Sequence, residues 1–514
     1  MSGRADHDGE MAPFTRAMVS IFVMTATIMQ VLDTTVANVA LPYMQGSLST
    51  TQDQVNWVLT SYIIAAAIMT SPVGWMTARF GRKRLFLVCT AGFTLASMLC
   101  GAAQNIDQMV VFRLVQGVFG AAMVPLAQMV MLDAYPPAKR AAAMAIWGMG
   151  IMLGPIMGPT LGGWLTENYS WRWVFYVNVP FGLLTAIGLA VFMPESRVRR
   201  DLSFSWFGFL SLSLGVGALQ LMLDRGPELD WFNSPEIWTE LLCSLAGLYV
   251  FVMQTLTAKH PFFDRALALD RNFVTCNLFG FFVGLLLFST MALLPPMMQG
   301  LMGYSVFGAG LVTMPRGLGS FAAMFVVGRM VGRVDTRLIL VTGLAICGAA
   351  MLQMSHFNLA MDSTPFVVSG IIQGLGIGLL FVPLSVTAFA TLNPALRSEG
   401  TSVYTLVRNM GSSVGISMMQ ALYSHQTSVA HADMAAQVQP SNPVFAAGVQ
   451  GPMNLAGGGT ALDALNAEIS RQAAMVGLVD VFRLMLIMTI VLAPLLLIMR
   501  KPKAAPPSTE VVVD

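Results

Sequence analysis

The chain has 514 residues, of which 55% are hydrophobic and only 11% are charged. A soluble globular protein carries about 25% charged residues, so a soluble fold of this length is excluded. Intrinsic disorder is excluded as well, because disordered chains are polar and highly charged. The net charge of +2 gives no basic surface of the kind that binds nucleic acid. The composition predicts an all-α integral membrane protein in contact with the lipid bilayer.

Apolar runs of about 20 residues, enough to cross a bilayer as helices, occur fourteen times along the chain. The first begins after Arg16 and is too long for a signal peptide, so we expect it to remain as a spanning helix. The runs are 17–42, 55–77, 85–103, 109–132, 141–163, 173–193, 205–223, 238–258, 273–296, 307–328, 338–355, 365–390, 402–424 and 478–499.

The lysines and arginines are distributed unevenly between the segments that connect these runs. Most of the 28 fall on the side that contains the N-terminus, in segments such as 79–84 and 139–140. The other side contains only Arg172, Arg225 and Arg471. Because cytoplasmic loops are enriched in these residues, we expect both termini in the cytoplasm.

Three short segments recur in the second part of the chain at nearly one spacing. The pairs are Gly74–Arg79 with Gly328–Arg333, Val110–Gly117 with Val367–Gly374, and Val124–Leu126 with Val382–Leu384. Repeated halves around a midplane site are typical of transporters that work by alternating access. We therefore expect two six-helix halves, at 1–200 and 261–514, with two further spanning helices inserted at 201–260.

Asp33 is an acidic side chain well inside the first span, and Arg113 enters the fourth span to a similar depth from the same side of the membrane. Charges within a membrane are costly and mark proton relays, ion sites or ion pairs. A nearby cation favours the charged carboxylate, whereas desolvation favours protonation, so this pair could couple a proton to a transported compound. The alternatives are an aspartate that caps a kink and an arginine that tethers backbone carbonyls. The repeat places Gly370 at the position of Arg113.

The fifth span contains glycines at four-residue spacing together with two prolines. Small residues let helices pack closely in lipid, and proline removes a backbone donor and bends a helix. We expect either tight packing alone or a pliable interface between the halves. The motif residues are Gly150, Gly154, Pro155, Gly158, Pro159, Gly162 and Gly163.

Polar residues within the spans are candidates for lining a substrate cavity, although some could instead join helices. They are Gln30, Thr34, Asn38, Gln116, Gln128, Asn178, Gln373, Tyr404, Arg408 and Asn409. The chain has five cysteines, all in apolar runs without a CxxC spacing, and five histidines, so neither a disulfide framework nor a metal site is expected. It also lacks the phosphate-binding loop GxxxxGK[ST] and any catalytic motif. We therefore expect no cofactor and an ion gradient as the energy source.

Between the last two runs lies a long outer segment at about 425–477. Leu462, Leu465 and Ile469 follow helical spacing there. The pattern fits a short amphipathic helix on the membrane or on a partner, and equally a flexible linker.

These motifs together resemble the major facilitator superfamily, and within it the fourteen-helix drug:proton antiporters of the EmrB type. The resemblance rests on Leu32–Pro42 in helix 1, on Gly74–Arg84 in the loop after helix 2, on Arg113–Gly117 and on Gly150–Gly163, with further likeness at Trp171–Gly182 and Leu223–Phe232. In the loop motif, Gly74, Arg79, Gly81, Arg82 and Lys83 match, but Ala78 replaces the usual aspartate, so a latch built on that carboxylate is in question.

The resemblance implies the major facilitator fold with fourteen transmembrane helices in a Gram-negative inner membrane. It implies proton-coupled export of hydrophobic drug-like compounds and antibiotic resistance, with Asp33 and Arg113 in proton coupling. It further implies a periplasmic adaptor and an outer-membrane channel as partners in a tripartite pump. The alternative is a proton-coupled symporter that imports a small solute. An enzyme is not expected.

Overall fold

The computed structural model describes residues 11–136, 139–196, 198, 202–331, 333–438 and 459–498. Helices form its framework throughout these ranges. In the first half they are α1 (Pro13–Ser47), α2 (Gln52–Thr70), α3 (Val73–Phe80), α4 (Arg82–Ala102), α5 (Ile106–Gly120), α6 (Met123–Ala134), α7 (Arg140–Asn168), α8 (Trp173–Tyr176) and α9 (Asn178–Phe192).

Two helices follow between the halves, and the remaining helices form the second half. The two are α10 (Trp206–Arg225) and α11 (Pro235–Thr257). The second half contains α12 (Arg265–Leu269), α13 (Arg271–Met302), α14 (Val306–Thr313), α15 (Pro315–Met330), α16 (Thr336–Met354), α17 (Thr364–Ala390), α18 (Arg397–Ala436) and α19 (Gly459–Leu492).

Several helices begin at polar side chains that cap their first turn. The Thr51 hydroxyl accepts from the backbone N–H of Gln54, whose side chain accepts from the Thr51 N–H in return. Asn105 caps α5 in the same position, and Asp270 accepts from the N–H of Phe273 at the start of α13. Such caps satisfy backbone donors that the helix itself leaves free, and so fix where the helix begins.

Within the described ranges, twelve helical segments are long and apolar enough to cross a membrane, and the bent pair α2–α3 makes a thirteenth. The bend of 58° follows Pro72, which cannot continue the hydrogen bonding of α2. The one predicted run outside these thirteen, 402–424, lies on α18, which has 40 residues but many polar ones. Several of its polar side chains, such as Ser402 and Thr405, are buried. The protein is thus a multi-pass membrane protein, and fourteen spans are compatible with it.

The apolar cores differ between the two ends of the bundle. We call the end where α1 begins the basic face, since Arg82, Arg140 and Arg397 lie there. At this face one core contains side chains of both halves, including Trp147 and Phe381. At the opposite face the first half has its own core and the second half has another. Among the described residues, one continuous apolar core thus joins the halves at the basic face.

The inserted helices pack beside the two halves. α10 packs against α11, against α2 of the first half and against α18 of the second half. The Thr60 hydroxyl of α2 donates to the Asp224 carboxylate of α10, and the Ser417 hydroxyl of α18 donates to the Leu223 carbonyl at 2.6 Å. α10 thus contacts both halves at its end near the opposite face.

The outer segment continues two spanning helices instead of forming a separate one. α18 extends to Ala436 and α19 begins at Gly459, so the predicted helical turn at 461–471 belongs to α19. The two extensions pack together: His431 bonds to Asn466 at 3.1 Å, and Gly477 lies against Thr427. At 1.5 Å per residue, α18 is about 60 Å long, against about 30 Å for the hydrocarbon layer. The pair therefore extends beyond the bundle at the opposite face.

Candidate functional site

Asp33 lies at the centre of a buried polar cluster in the first half, and it is 1% exposed. One carboxylate oxygen accepts from Arg113 Nη1 at 2.6 Å. The other accepts from Gln116 Nε2 at 2.9 Å and from Asn178 Nδ2 at 2.8 Å. An ionised carboxylate is an acceptor only, and here both of its oxygens face N–H donors. The cluster is therefore built for the charged form of Asp33.

Arg113 is fully buried, and two of its three guanidinium nitrogens donate hydrogen bonds, while Nη2 has no partner among the described residues. Its Nε donates to the Val58 carbonyl at 3.0 Å, and Nη1 also donates to Gln116 Oε1 at 2.8 Å. The guanidinium carbon lies 4.3 Å from the centre of the Tyr62 ring, a cation–π distance. Because Gln116 Oε1 accepts from Arg113, the amide orientation of Gln116 is set and its N–H points to Asp33.

The cluster joins five helices of the first half. Asp33 lies on α1, Val58 on α2, Arg113 on α5 and Asn178 on α9, and Asn178 also donates to the Ser97 hydroxyl of α4 at 3.0 Å. A buried polar network of this kind restricts the relative positions of the helices that contribute to it. A change in the protonation of Asp33 therefore acts on the packing of the whole half.

Protonation of Asp33 would weaken the arrangement as it stands. A proton neutralises the carboxylate that pairs with Arg113 and adds an O–H donor beside three N–H donors. The charge-assisted bonds to Arg113, Gln116 and Asn178 then become weaker. The site can thus convert binding of a proton into movement of α1 relative to α5 or α9.

Three of the predicted polar residues, Gln116, Asn178 and Gln30, belong to this neighbourhood; Gln30 donates to the Tyr62 hydroxyl at 2.8 Å. Thr34 donates to the Val31 carbonyl of its own helix. Asn38 is exposed.

The other predicted polar residues lie away from Asp33. Gln128 is buried, and its amide has no hydrogen-bond partner among the described residues. Gln373 donates to the Thr290 hydroxyl at 2.9 Å in the second half. Tyr404 is buried, and Arg408 lies 5.7 Å from the Phe381 ring. Asn409 is exposed.

Tyr62, Ser97 and Asp224 are not among the site residues predicted from the sequence. Tyr62 and Ser97 lie in apolar runs where a single hydroxyl gives little signal. Their roles follow from neighbours that only the fold brings together. Asp224 lies near the end of α10. From the sequence alone it could equally belong to the loop that follows, so it does not stand out.

The glycine stripe of α7 packs on α1 within the first half, not on the second half. A Cβ on Gly154 would lie 2.6 Å from Val31 Cγ1 and 2.9 Å from its carbonyl carbon, and a Cβ on Gly158 would lie 2.1 Å from Thr35 Oγ1. Gly150 and Gly162 also face α1. α7 runs as one helix through Pro155 and Pro159 to Asn168, with Gly163 buried in its last turns.

Another side of α7 contacts the second half. Ile156 lies against Gly317 of α15, and Thr160 lies against Gly310 of α14. The stripe is therefore not itself the contact between the halves. Instead α7 connects α1, which carries Asp33, to the helices of the second half.

The loop motif meets the second half at the basic face. A Cβ on Gly74 would lie 2.7 Å from the Glu399 Cα. Gly81 has a φ of +87°, which favours glycine, and it links α3, ending just after Arg79, to α4. Arg82 pairs with Asp133 at 2.6 Å, and Asp133 also pairs with Arg397 of α18 at 3.3 Å.

Asp133, which lies on α6 outside the loop motif, thus links the halves through two ion pairs. Within the motif, Ala78 occupies the position that is usually acidic. Lys83 is half-buried beside this link.

Comparison with known proteins agrees with this architecture. The protein family described as Major Facilitator Superfamily matches this chain over residues 23–423. The fatty acid resistance protein FarB of Neisseria gonorrhoeae is 32% identical over 492 residues, which cover 95% of this chain and 96% of that protein. The multidrug export protein EmrB of Escherichia coli K12 is 33% identical over 429 residues, covering 83% of this chain and 84% of that protein.

Solved structures show the same fold. The human organic anion transporter MFSD10 has a TM-score of 0.60 at 12% identity, covering 93% of this chain and 100% of that one. The proton:xylose symporter XylE has a TM-score of 0.58 at 12% identity, covering 92% and 95%. Identities this low support the fold and no finer likeness.

Proposed function

Because this chain belongs to the major facilitator superfamily, we propose that it exports lipophilic, drug-like compounds across a bacterial inner membrane in exchange for protons. Relatives at 32–33% identity are named for fatty acid resistance and for multidrug export. The observation that carries the proposal is the buried Asp33 cluster, in which a carboxylate is held by three donors. The proton gradient supplies the energy, and no cofactor takes part.

Alternating access gives the two ends of the bundle different roles. We place the basic face in the cytoplasm, together with both termini, because lysine and arginine are enriched on the cytoplasmic side of membrane proteins. The single core shared by the halves then closes the cytoplasmic side. At the opposite face the halves have separate cores and meet where α7 contacts α14. This arrangement fits the outward-facing state of a transporter.

Coupling follows from the way in which Asp33 is held. In the outward-facing state a proton from the periplasm reaches Asp33 and weakens its bonds to Arg113, Gln116 and Asn178. α1 is then freed to shift against α5 and α9. Because α1 packs on the glycine stripe of α7, and α7 contacts α14 and α15, the shift changes the contact between the halves. The inward-facing state would release the proton and take up the compound.

The paired extensions of α18 and α19 suit a partner outside the membrane. They project at the opposite face, which this orientation puts in the periplasm. We propose that they dock a periplasmic adaptor protein that connects the transporter to an outer-membrane channel. Shortening both extensions together would then abolish co-purification with the adaptor while transport in vesicles continues.

The proposal is tested with the purified full chain in liposomes and two probes, the cation rhodamine 6G and the anion dodecanoate. A proton gradient is imposed, and accumulation of each probe is followed with and without nigericin, which dissipates the gradient. We expect accumulation of at least one probe on the side of higher proton concentration, and its loss with nigericin.

The direction of transport separates export from the symport alternative. Antiport moves the probe against the direction of proton flow, whereas symport moves both in one direction. Accumulation of a probe on the side of lower proton concentration, or none of either probe, would overturn the proposal.

A further inference from the structure

The second half contains a counterpart of the Asp33 cluster from which the carboxylate is absent. The offset of 257 residues that relates the repeated segments of α5 and α17 also relates Gln116 to Gln373 and Asp33 to Thr290. Gln373 donates to the Thr290 hydroxyl at 2.9 Å, and Gln116 donates to Asp33 at the same distance. The two hydrogen bonds occupy equivalent places, one in each half.

In the second half the arginine lies on a different helix from that of its counterpart in the first half. Arg113 has Gly370 as its counterpart on α17. Tyr62, whose ring lies against Arg113, has Arg316 of α15 as its counterpart at the offset of 254 residues found for the loop motif. A positive charge is thus retained, but it comes from the helix that carries the tyrosine in the first half.

Close packing gives the same correspondence without reference to the repeat. A Cβ on Gly117 would lie 2.5 Å from the Tyr62 carbonyl oxygen. Its counterpart Gly374 would place a Cβ 2.0 Å from the carbonyl oxygen of Arg316. Tyr62 and Arg316 therefore hold equivalent positions against α5 and α17. Arg316 also lies beside Gly370: a Cβ atom added to Gly370 would be 3.6 Å from the Cβ atom of Arg316.

Arg316 is a buried cation that pairs with no carboxylate among the described residues. It is 8% exposed, and its Nε and one terminal nitrogen are buried with no hydrogen-bond partner in the described part of the chain. A guanidinium stays charged in proteins, and an unpaired charge within a membrane is costly. Arg408 on α18 likewise has a buried terminal nitrogen without a described partner. The first half balances its arginine with Asp33, whereas the second half leaves this charge open.

We propose that Arg316, with the Thr290–Gln373 pair, forms a subsite for the anionic head group of an amphipathic compound, such as the carboxylate of a long-chain acid. The carboxylate of the compound takes the place that Asp33 takes in the first half. Buried apolar side chains of the second half, such as Met324 and Phe381, suit the apolar part of such a molecule. The inference rests on the proposed export function and adds the charge class of the substrate.

The test measures binding to the purified full chain in nanodiscs, with no proton gradient. The probes are dodecanoate, dodecylammonium and dodecanol, which differ in head-group charge. Arg316→Gln is expected to weaken dodecanoate binding by about tenfold or more, since a hydrogen bond to a charged group is lost. Binding of dodecylammonium and dodecanol is expected to stay unchanged, and Arg316→Lys is expected to restore part of the dodecanoate affinity.

A second variant supplies the missing carboxylate from the chain itself. Thr290→Asp places an aspartate at the position equivalent to Asp33, so dodecanoate binding is expected to fall as strongly as in Arg316→Gln. Thr290→Asn, which is similar in size but neutral, is the matched control and is expected to retain binding. Weakening of all three probes alike, or unchanged dodecanoate binding in Thr290→Asp, would overturn the inference.

Failure of this inference is distinguishable from failure of the proposed function. Binding is measured without a gradient, so it does not depend on proton coupling. Gradient-driven accumulation of rhodamine 6G with no selective loss of dodecanoate binding in Arg316→Gln would leave export standing and remove the anion subsite. Absence of dodecanoate binding to the unmodified chain would remove it as well.

Discussion

The two halves place similar residues at equivalent positions and differ in charge. In the first half, Asp33 and Arg113 neutralise each other inside a hydrogen-bonded network. In the second half, Thr290 occupies the position equivalent to Asp33, and Arg316 pairs with no carboxylate among the described residues. A pseudo-symmetric fold can thus assign one half to a proton and the other to a compound by exchanging very few side chains.

The difference also shows which half is sensitive to the loss of its cation. Removing one partner of a buried ion pair leaves an uncompensated charge, which costs about 3–5 kcal/mol. Arg113 has a partner that would be left in this way, and Arg316 does not. Replacing the arginine with glutamine should therefore destabilise the protein at Arg113, and it should leave stability unchanged or raise it at Arg316.

The largest effect on stability is expected for Arg113→Gln. This variant leaves Asp33 buried without its guanidinium, so the unfolding transition in detergent should shift by an amount that corresponds to about 3–5 kcal/mol. Arg316→Gln should leave the transition unchanged or raise it. The measurement is thermal unfolding of both purified variants beside the unmodified chain.

A double variant is the control for this comparison. Asp33→Asn combined with Arg113→Gln removes both charges and should recover most of the lost stability. Equal destabilisation by Arg113→Gln and Arg316→Gln would contradict the charge difference between the halves.

A smaller effect is expected where α1 packs on α7. Gly154→Val forces a side chain against the Val31 backbone, and overpacking of this kind costs about 1–3 kcal/mol. We expect normal membrane insertion with slower gradient-driven transport in liposomes. Gly46→Val is the matched control, because Gly46 also lies on a helix and nothing lies within 4 Å of its Cβ position. Equal transport by both variants would show that the stripe serves only as replaceable packing.

The smallest effect is expected at the basic face. Asp133→Asn removes the link from Arg82 to Arg397, and partly exposed ion pairs contribute about 0.2–1 kcal/mol. We expect a modest rise in thiol labelling of a cysteine introduced at Ser398, since the halves separate more readily there. Unchanged labelling would mean that the shared apolar core alone holds this face closed.

The fold could be predicted from the sequence because lipid imposes simple rules. Fourteen apolar runs fall on helices of the structure, since every backbone group in a bilayer must be satisfied within a helix. The run at 402–424 shows the limit of this rule. Several polar side chains of α18, such as Ser402 and Thr405, are buried within the protein, so the helix is less apolar than a span exposed to lipid.

The site could be predicted only in part. Asp33 and Arg113 stand out because charges are rare within spans, and the structure joins them at 2.6 Å. Tyr62 and Ser97 do not stand out, since a hydroxyl on an apolar helix gains its meaning from residues far away in sequence. Arg316 is visible as a charge within a span, but its lack of a partner and its equivalence to Tyr62 require the packing of α15 on α17.

The central claim is that Asp33 carries the proton, and proton movement itself tests it most directly. Liposomes with a trapped pH-sensitive dye receive rhodamine 6G or dodecanoate, and internal pH is followed for the unmodified chain, for Asp33→Asn and for the control Asp480→Asn, whose carboxylate pairs with the exposed Arg483. The account predicts compound-dependent proton movement in the unmodified chain and in Asp480→Asn, and none in Asp33→Asn at equal protein content. Proton movement at the unmodified rate in Asp33→Asn would contradict it.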